Sequence, residues 1–433
     1  MTIAGTARTV LAIRSCHDTF DPVMKALRTL VFWLHLCTGV TVGIIVLIMS
    51  VTGVLLTYEK QMTRWANTRS LDGAPPSPAA PRLDVATLVD RARAASPGTP
   101  TAITWRAGAD APVEVAYGRE RTLFLNAYTG AVLGEGSAGA RRFFRVVTDW
   151  HRWLGREGPG RALGKSVTGI ANLGFLFIVL SGIYLWWPRN WTRHALRSVT
   201  LFRRGLRSKA RDFNWHNVIG LWCWAPLVVV VASGVMISYA WANRLVYGVF
   251  GERPPAVAPA GAPGSAAGGP PGATSVTAMS TPTAGPSAAA PSLDGIDPLV
   301  ARAGEKMPGW RSLTLTIPRS ATAPATFTLD GGMGGEPQKR AELQLDRATG
   351  REVRWQPFSA LTLGRRVRSV LRFAHTGEVL GPVGQTIAGI VTLGAVFLVY
   401  TGLALAFRRF LKWRRRRRRF GPDGATRRAA VRA

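Results

Sequence analysis

The chain has 433 residues, of which 47% are hydrophobic and 15 are Trp, and its formal net charge at pH 7 is +31. This composition is typical of a membrane protein rather than a soluble enzyme. Most of the positive charge flanks apolar segments, where it indicates membrane orientation and contact with lipid headgroups. We therefore expect the lipid bilayer, and no nucleic acid, as a partner.

Four segments contain no Asp, Glu, Lys or Arg over a length that can cross about 30 Å of hydrocarbon. They are Thr29–Tyr58, Ser166–Trp187, Asn217–Ala242 and Pro382–Phe407. We predict a transmembrane helix in each of them. The first apolar run is too long for a cleavable signal peptide and lacks its small-residue cleavage site, so we expect it to remain as a signal anchor.

Apolar, polar and basic stretches divide the chain into ten predicted segments. In chain order they are an N-terminal segment (1–28), a first membrane helix (29–58), an outer module (59–140), a histidine helix with the second membrane helix (141–187), a basic loop (188–212), a third membrane helix (213–242), an outer connection (243–292), a second outer module (293–364), a histidine helix with the fourth membrane helix (365–407) and a basic tail (408–433). The connection contains a Pro/Ala/Gly-rich stretch that cannot bury a core, which predicts a disordered linker.

The distribution of Lys and Arg predicts the orientation in the membrane. The loop 188–212 holds eight of them and the tail 408–433 holds twelve. Short loops rich in Lys and Arg stay in the cytoplasm, so both chain ends should lie inside and both long loops outside. Arginines also cluster on the predicted outer side, but long loops are translocated largely regardless of their charge.

The two halves of the chain carry matching patterns of histidine and glycine. His35 and His216 are each followed at offsets of 4, 18 and 23 by Gly, Gly and Tyr. The second and fourth apolar segments show glycines at offsets of 0, 5 and 13, counted from Gly169 and Gly389. His151 precedes the first of these patterns and His375 the second. The spacing predicts a two-fold internal repeat built around a four-helix bundle.

The two outer segments are also alike. Leu83–Ser96 and Leu293–Lys306 have helical patterns, and each is followed by Pro-Gly and by alternating, strand-like runs. Each segment also contains a Thr-Gly pair between two strand-like runs, where glycine allows a tight turn. We predict two small α+β modules.

Four of the six histidines therefore occupy equivalent places in the repeat. A two-fold arrangement can bring His35 opposite His216 and His151 opposite His375. Two imidazoles that project inward from facing helices are what a six-coordinate haem requires, and the absence of a C-x-x-C-H motif points to non-covalent binding. All four histidines are candidate axial ligands of haem iron.

Structural explanations compete with this one. A single histidine near a helix end is more often an interfacial side chain or a hydrogen-bond partner than a ligand. The glycines, Gly39, Gly53, Gly169, Gly220, Gly234 and Gly389, either leave room for a flat macrocycle or only let helices pack closely. Nearby basic residues, Lys25, Arg28, Arg142, Arg145, Arg211, Arg368 and Arg372, suit haem propionates or lipid headgroups equally well.

The chain resembles the PepSY-associated transmembrane family. The resemblance covers nearly the whole chain, and it is carried by W-H-R-W-L-G at Trp150–Gly155, S-G-I-Y-L-W-W-P at Ser181–Pro188, the F-N-W-H that precedes the third apolar run, and the two Thr-Gly turns. Characterised relatives include inner-membrane ferric siderophore reductases with two b-type haems. The resemblance implies PepSY-like periplasmic modules, one haem b held by His35 and His216, and a second held by His151 and His375.

The resemblance implies a haem-dependent oxidoreductase of the bacterial inner membrane that reduces a periplasmic ferric siderophore or a similar ferric chelate and supports iron uptake. We expect its electron donor to be a cytoplasmic reductase or a membrane quinol. The principal alternative is a non-redox, membrane-anchored protein whose PepSY-like modules bind peptides or regulate a partner. An iron or haem permease is less consistent with the sequence, because the apolar segments carry no carboxylates.

Overall fold

The computed structural model describes residues 4–118, 121–187, 192–255, 293–318, 320 and 322–420. For residues 4–21 and 418–420 it describes the backbone alone. Most of the predicted disordered linker and the end of the basic tail lie outside the described residues. In chain order the elements are α1 (Ala4–Leu56), α2 (Glu59–Thr68), α3 (Val85–Ala95), β1 (Ala102–Arg106), β2 (Val113–Tyr117), β3 (Arg121–Leu125), β4 (Val132–Gly134), α4 (Ala138–Trp153), α5 (Gly160–Trp186), α6 (Arg193–Thr200), α7 (Ser208–Ser238), α8 (Ala240–Gly248), α9 (Asp297–Lys306), β5 (Ser312–Thr316), β6 (Ala325–Asp330), β7 (Arg340–Leu345), β8 (Glu352–Pro357), α10 (Leu363–His375) and α11 (Gly381–Phe420).

Four stretches among the described residues are long and apolar enough to cross a membrane. They are Pro22–Leu56, Gly160–Trp186, Ser208–Ser238 and Glu378–Arg417. The prediction of four apolar membrane helices is confirmed. All four helices are longer than their apolar segments, and two extend furthest: α1 begins well before residue 29, and α11 continues beyond residue 407. Arginine is a good helix former, and no Gly or Pro interrupts α11 between Gly402 and its end.

The chain forms two compact units. The first comprises Met1–Ala66, Ser137–Ala240 and Val370–Ala433, and the second comprises Asn67–Gly136 and Trp241–Ser369. In the first unit, α1 packs against α5 and α11, and α7 packs against the same two helices. The four helices therefore form a closed square in which α1 lies diagonally opposite α7. Their shared core is aliphatic and aromatic, with Val46, Phe175, Leu227 and Ala395 among its buried members.

The second unit contains one eight-stranded antiparallel sheet in the order β4-β3-β2-β1-β5-β6-β7-β8. Each half is a four-stranded meander, and the halves join where β1 pairs with β5, with Ile103 opposite Leu315. Helices α3 and α9 pack on the same face, and their apolar residues share one buried core with both halves of the sheet. The helix and strand content predicted for each outer module is present, but the two modules form one continuous sheet instead of two separate ones.

Candidate functional site

His151 and His375 come together in the helical unit. His151 lies in the last turn of α4 and His375 is the last residue of α10. Their ring centroids are 6.4 Å apart and the ring planes meet at 57°. Two metal–nitrogen bonds of about 2 Å, made by opposed imidazoles to one metal, would separate the ring centroids by about 6 Å. The spacing of this pair fits two axial ligands on a single iron.

His35 and His216 lie on the diagonally opposed helices α1 and α7. The two imidazoles lie near enough to each other to interact electrostatically. Each ring reaches the helix beside its own, because Nδ1 of His35 is 2.8 Å from Oγ of Ser181 on α5 and Nδ1 of His216 is 3.0 Å from Oγ1 of Thr401 on α11. The two rings are therefore held in corresponding ways within the bundle.

The other two histidines are anchored through the same ring nitrogen. Nδ1 of His151 lies 3.0 Å from Oγ1 of Thr52 on α1. Nδ1 of His375 lies 2.8 Å from the carbonyl oxygen of Val230 on α7, with Oγ of Ser233 at 3.5 Å. A carbonyl oxygen can only accept, so Nδ1 of His375 carries the proton and donates it.

The hydroxyl partners lead to the same assignment for the remaining three rings. Ser181 donates to the carbonyl oxygen of Ile178 at 3.2 Å, Thr401 to that of Phe397 at 2.7 Å, and Thr52 to that of Ile48 at 2.7 Å. A hydroxyl has one hydrogen, so when it is used within the helix the oxygen can only accept from the imidazole. His375 is therefore held as the Nδ1–H tautomer, and the other three rings adopt the same tautomer when the hydroxyl hydrogen is used within the helix.

This tautomer leaves a lone pair on Nε2 of each ring. Among the described residues no Nε2 of these four histidines makes a hydrogen bond, and all four side chains keep an intermediate exposure. A metal-bound histidine usually donates its other ring N–H to the protein, which fixes the orientation of the ring and increases its basicity. The four rings have the protonation state and anchoring that axial ligation requires.

The charge state of the His151–His375 pair agrees with this assignment. Burial, together with the neighbouring His375, lowers the pKa of His151 to about 4. Burial also lowers the pKa of His375, and the charges of Arg372 and Arg152 act in the same direction. Both rings are neutral at neutral pH, which is the form of imidazole that binds a metal.

Each ring also faces a glycine on the helix that anchors it. A Cβ added at Gly182 would lie 3.6 Å from Cε1 of His35, and the corresponding distances are 3.4 Å from Gly402 to His216, 3.4 Å from Gly53 to His151 and 3.2 Å from Gly234 to His375. Each of these glycines directly follows a hydroxyl residue that lies beside the same ring: Ser181, Thr401, Thr52 and Ser233. The sequence analysis missed the role of these hydroxyls, although the Ser-Gly and Thr-Gly pairs recur in all four membrane helices.

The other glycines of the pattern do not lie beside a histidine ring. A Cβ added at Gly39 or Gly220 would meet only Ile178 at 4.0 Å or Leu398 at 3.6 Å, so neither glycine provides clearance for a histidine ring. Gly169 instead accommodates Tyr239, and Gly389 accommodates Thr57. Gly169 and Gly389 thus allow close packing of the helices, whereas Gly39 and Gly220 have only ordinary contacts beside them.

Several of the basic residues considered as propionate partners already contact the protein. Arg28 donates to the carbonyl oxygen of Leu185 at 2.7 Å, Arg211 pairs with Asp212 at 3.0 Å, and Arg368 donates to Asn243 at 3.2 Å. Arg142 and Arg145 on α4 make no hydrogen bond or ion pair within the described part of the chain. Arg372 and Arg152 are the basic residues whose charges reach His375, and Arg152 was not considered from the sequence.

No group of three or more His, Cys, Asp or Glu side chains that could hold a metal ion occurs among the described residues. A haem needs only two protein ligands, because the porphyrin provides the other four nitrogens, so pairs of histidines are the relevant arrangement.

Comparison with known proteins gives one positive result. The family described as the PepSY-associated TM region matches residues 32–409, a range that includes all four histidines. No curated protein matches the chain at a significant level.

Proposed function

The chain belongs to the family of the PepSY-associated TM region, and from this premise we propose that it is a membrane oxidoreductase that carries electrons across the bilayer through two haem b groups. The single observation that best supports the proposal is the state of the histidines: two pairs, each ring held by Nδ1–H, with Nε2 free for a metal. In the His151–His375 pair the spacing of 6.4 Å also suits one shared iron.

The His35–His216 pair would hold one haem and the His151–His375 pair the other. A bound haem supplies a reversible one-electron couple at its iron. Ligation of the iron by two histidines would favour electron transfer over oxygen binding. The hydroxyl and carbonyl acceptors keep each ring oriented, and the adjacent glycines leave room beside it.

The positions of the two pairs suit transfer across a membrane. Thr52, which contacts His151, follows His35 by 17 residues on α1. At 1.5 Å per residue this separates the two levels by about 25 Å along the helix, close to the ~30 Å thickness of the hydrocarbon core. One bis-histidine site could not serve both faces of the membrane, whereas two sites at these levels could.

We further propose that the protein lies in a bacterial inner membrane with both termini in the cytoplasm and both long loops in the periplasm. Its acceptor would be a periplasmic ferric siderophore or similar ferric chelate, reduced in support of iron uptake. Reduction weakens the hold of hard oxygen ligands on iron, because Fe²⁺ is less charged and softer than Fe³⁺. The electrons would come from a cytoplasmic reductase or a membrane quinol.

The decisive experiment is an absorption spectrum of detergent-purified protein before and after dithionite, with haem quantified per chain. We expect two b-type haems per chain, both reducible. A colourless protein would contradict the proposal and favour the non-redox, peptide-binding alternative. A single haem per chain would exclude transfer through two sites.

Histidine variants test the assignment of the pairs. His151→Ala should remove the haem of the His151–His375 pair and leave the other in place, giving about half the haem per chain with a normal spectrum for the remaining site. His35→Ala should give the complementary result. Equal loss of both haems in each variant, with the protein still folded, would contradict the paired assignment.

A further inference from the structure

Helix α11 continues far beyond its apolar part as a basic arm, which we define as residues 408–420. The arm contains nine Lys or Arg and no Asp or Glu. Residues 412–417 are all exposed. None of the proposed haem ligands or their hydrogen-bond partners lies in the arm. Haem binding therefore does not explain the positive charge of the arm.

The base of the arm is fixed to two neighbouring helices. Arg408 pairs with Asp212 of α7 at 2.9 Å, and Asp212 is only 1% exposed. The guanidinium of Arg409 lies 5.0 Å from the ring centre of Phe32 and 4.9 Å from that of Trp33, both on α1. Cation–π contacts of this kind hold an arginine against an aromatic ring. The arm therefore extends in the direction set by the membrane helix.

The geometry of the arm argues against lipid headgroups as its main partner. Arg417 lies ten residues beyond Phe407, which corresponds to about 15 Å of helix. This is longer than the Debye length of about 8 Å at physiological ionic strength. Beyond Phe410 and Trp413, whose rings lie together, Arg414, Arg415, Arg416 and Arg417 follow one another around the helix. This end of the arm therefore lacks the apolar face with which an interfacial helix lies on a membrane.

A second basic segment lies beside the base of the arm. Residues 192–216 contain seven Lys or Arg, and their one acidic residue is the buried and paired Asp212. The six exposed members are Arg193, Arg197, Arg203, Arg204, Arg207 and Lys209. Together with the basic arm, these residues form a surface on which every charged side chain is positive. We call these six residues and the basic arm the basic surface.

The basic surface adjoins the His35–His216 pair. Asp212, which binds Arg408, lies one helical turn before His216. Thr401, the acceptor for His216, lies two turns before Arg408 on α11. A protein bound to this surface would be held next to the histidine pair that is closest to the same end of the bundle.

We propose that the basic surface docks a soluble, acidic electron-carrier protein, which reduces the haem of the His35–His216 pair; the inference rests on the proposed function. Each encounter transfers one electron, so the reduced carrier is oxidised by one electron while the iron changes from Fe³⁺ to Fe²⁺, and no covalent bond forms or breaks. Complementary charge accelerates such encounters by 10- to 1,000-fold at low salt. The proposal thus selects an acidic carrier protein over a membrane quinol as the donor.

The test uses the full-length haem-loaded protein in nanodiscs of uncharged lipid, mixed in stopped flow with reduced flavodoxin as the acidic carrier. The test variant is R415Q/R416Q/R417Q, and the matched control is R302Q/R351Q/R354Q, which removes three exposed arginines from the sheet unit. We expect the arm variant to be reduced about 10-fold more slowly than wild type at low salt. The control should match wild type, and the difference should disappear at high salt.

Dithionite separates this inference from the proposed function. If dithionite reduces both haems equally in all three proteins, the redox core is intact and the flavodoxin rates report docking alone. Equal flavodoxin rates for wild type and the arm variant at every salt concentration would overturn the docking inference while leaving the proposed function standing. Absence of a dithionite-reducible haem would remove the proposed function itself.

Discussion

In each membrane helix one Ser-Gly or Thr-Gly pair meets a histidine. The hydroxyl residue lies beside Nδ1 of the imidazole, and the glycine leaves space beside Cε1. His375 differs in part, because its shortest contact is with the carbonyl oxygen of Val230 and Ser233 is more distant. Two adjacent residues thus determine both the tautomer of the ring and the room around it.

Removing one hydroxyl tests its contribution to ligation. Thr401→Val keeps the side-chain volume but removes the acceptor for Nδ1–H of His216. Losing such an outer partner typically costs 10- to 100-fold in metal affinity. We therefore expect weaker haem retention at the His35–His216 pair, measured by haem transfer to apomyoglobin. Thr401→Ser should restore retention.

The matched control for this prediction is Thr41→Val. Thr41 also lies on a membrane helix and donates to the carbonyl oxygen four residues earlier, Cys37, but within the described part of the chain it shares no hydrogen bond with a histidine. Haem retention should be unchanged in this variant. Equal losses in both variants would mean that the hydroxyl of Thr401 acts through general helix packing.

Gly234→Ala tests the clearance beside His375. The added methyl would lie 3.2 Å from Cε1 of the ring and 3.0 Å from Nδ2 of Asn172, both closer than ordinary contact. We expect His375 to be displaced and the haem of the His151–His375 pair to be lost or to change to a five-coordinate spectrum. In Gly220→Ala the methyl would meet only Leu398 at 3.6 Å, far from His375, so the haem of the His151–His375 pair should keep its wild-type spectrum. A normal spectrum in Gly234→Ala would show that this glycine serves helix packing alone.

At the scale of whole elements, sequence reasoning identified the four membrane helices because continuous apolar runs leave a strong local pattern. It also selected the four histidines that the structure anchors through Nδ1, since the glycine patterns that follow them agree between the halves. Their role as haem ligands stays a prediction. It did not identify the pairing of β1 with β5, because strands about 200 residues apart leave no local mark of their register. The hydroxyl acceptors were missed for a related reason: Ser181 meets His35 only after the helices have packed.

The start of α3 provides a pH-dependent prediction. Hydrogen bonds to its carboxylate from the backbone N–H and then the hydroxyl of Thr87 lower the pKa of Asp84 from its ordinary value of 3.8. A lowered pKa in the folded state means that ionised Asp84 stabilises the helix above pH 3.8 and that this contribution is lost as the pH falls through the lower, folded value. Protection of α3 amides in hydrogen exchange should fall accordingly in the wild type.

Asp84→Asn isolates this effect. Asn caps helices about as well as Asp but does not titrate, so protection of α3 should become less dependent on pH while staying similar at neutral pH. Asp90→Asn is the control, because Asp90 lies on the same helix and its side chain pairs with Arg93 near the surface. If the pH dependence is the same in both variants, the cap does not cause it.

At the scale of the whole molecule, the proposed function requires a fixed direction across the membrane. The basic surface must face the compartment that holds the electron donor, and the sheet must face the compartment that holds the ferric chelate. The positive-inside rule provides this direction from Lys and Arg near the helix ends. The two segments of the sheet unit follow α1 and α7 in the chain. If all four membrane helices cross the bilayer, both segments lie on the same side of it.

Cysteine labelling can test that direction. In a chain whose native cysteines, Cys16, Cys37 and Cys223, are replaced by Ser, single cysteines would be placed at exposed positions as A348C in the sheet and S208C at the start of α7. A membrane-impermeant maleimide added to spheroplasts should label A348C at once, whereas S208C should require permeabilisation. The reverse pattern would place the His151–His375 pair towards the cytoplasm. Electrons from a cytoplasmic carrier would then have no path to a periplasmic chelate, and the proposed function would fail even if both haems were present.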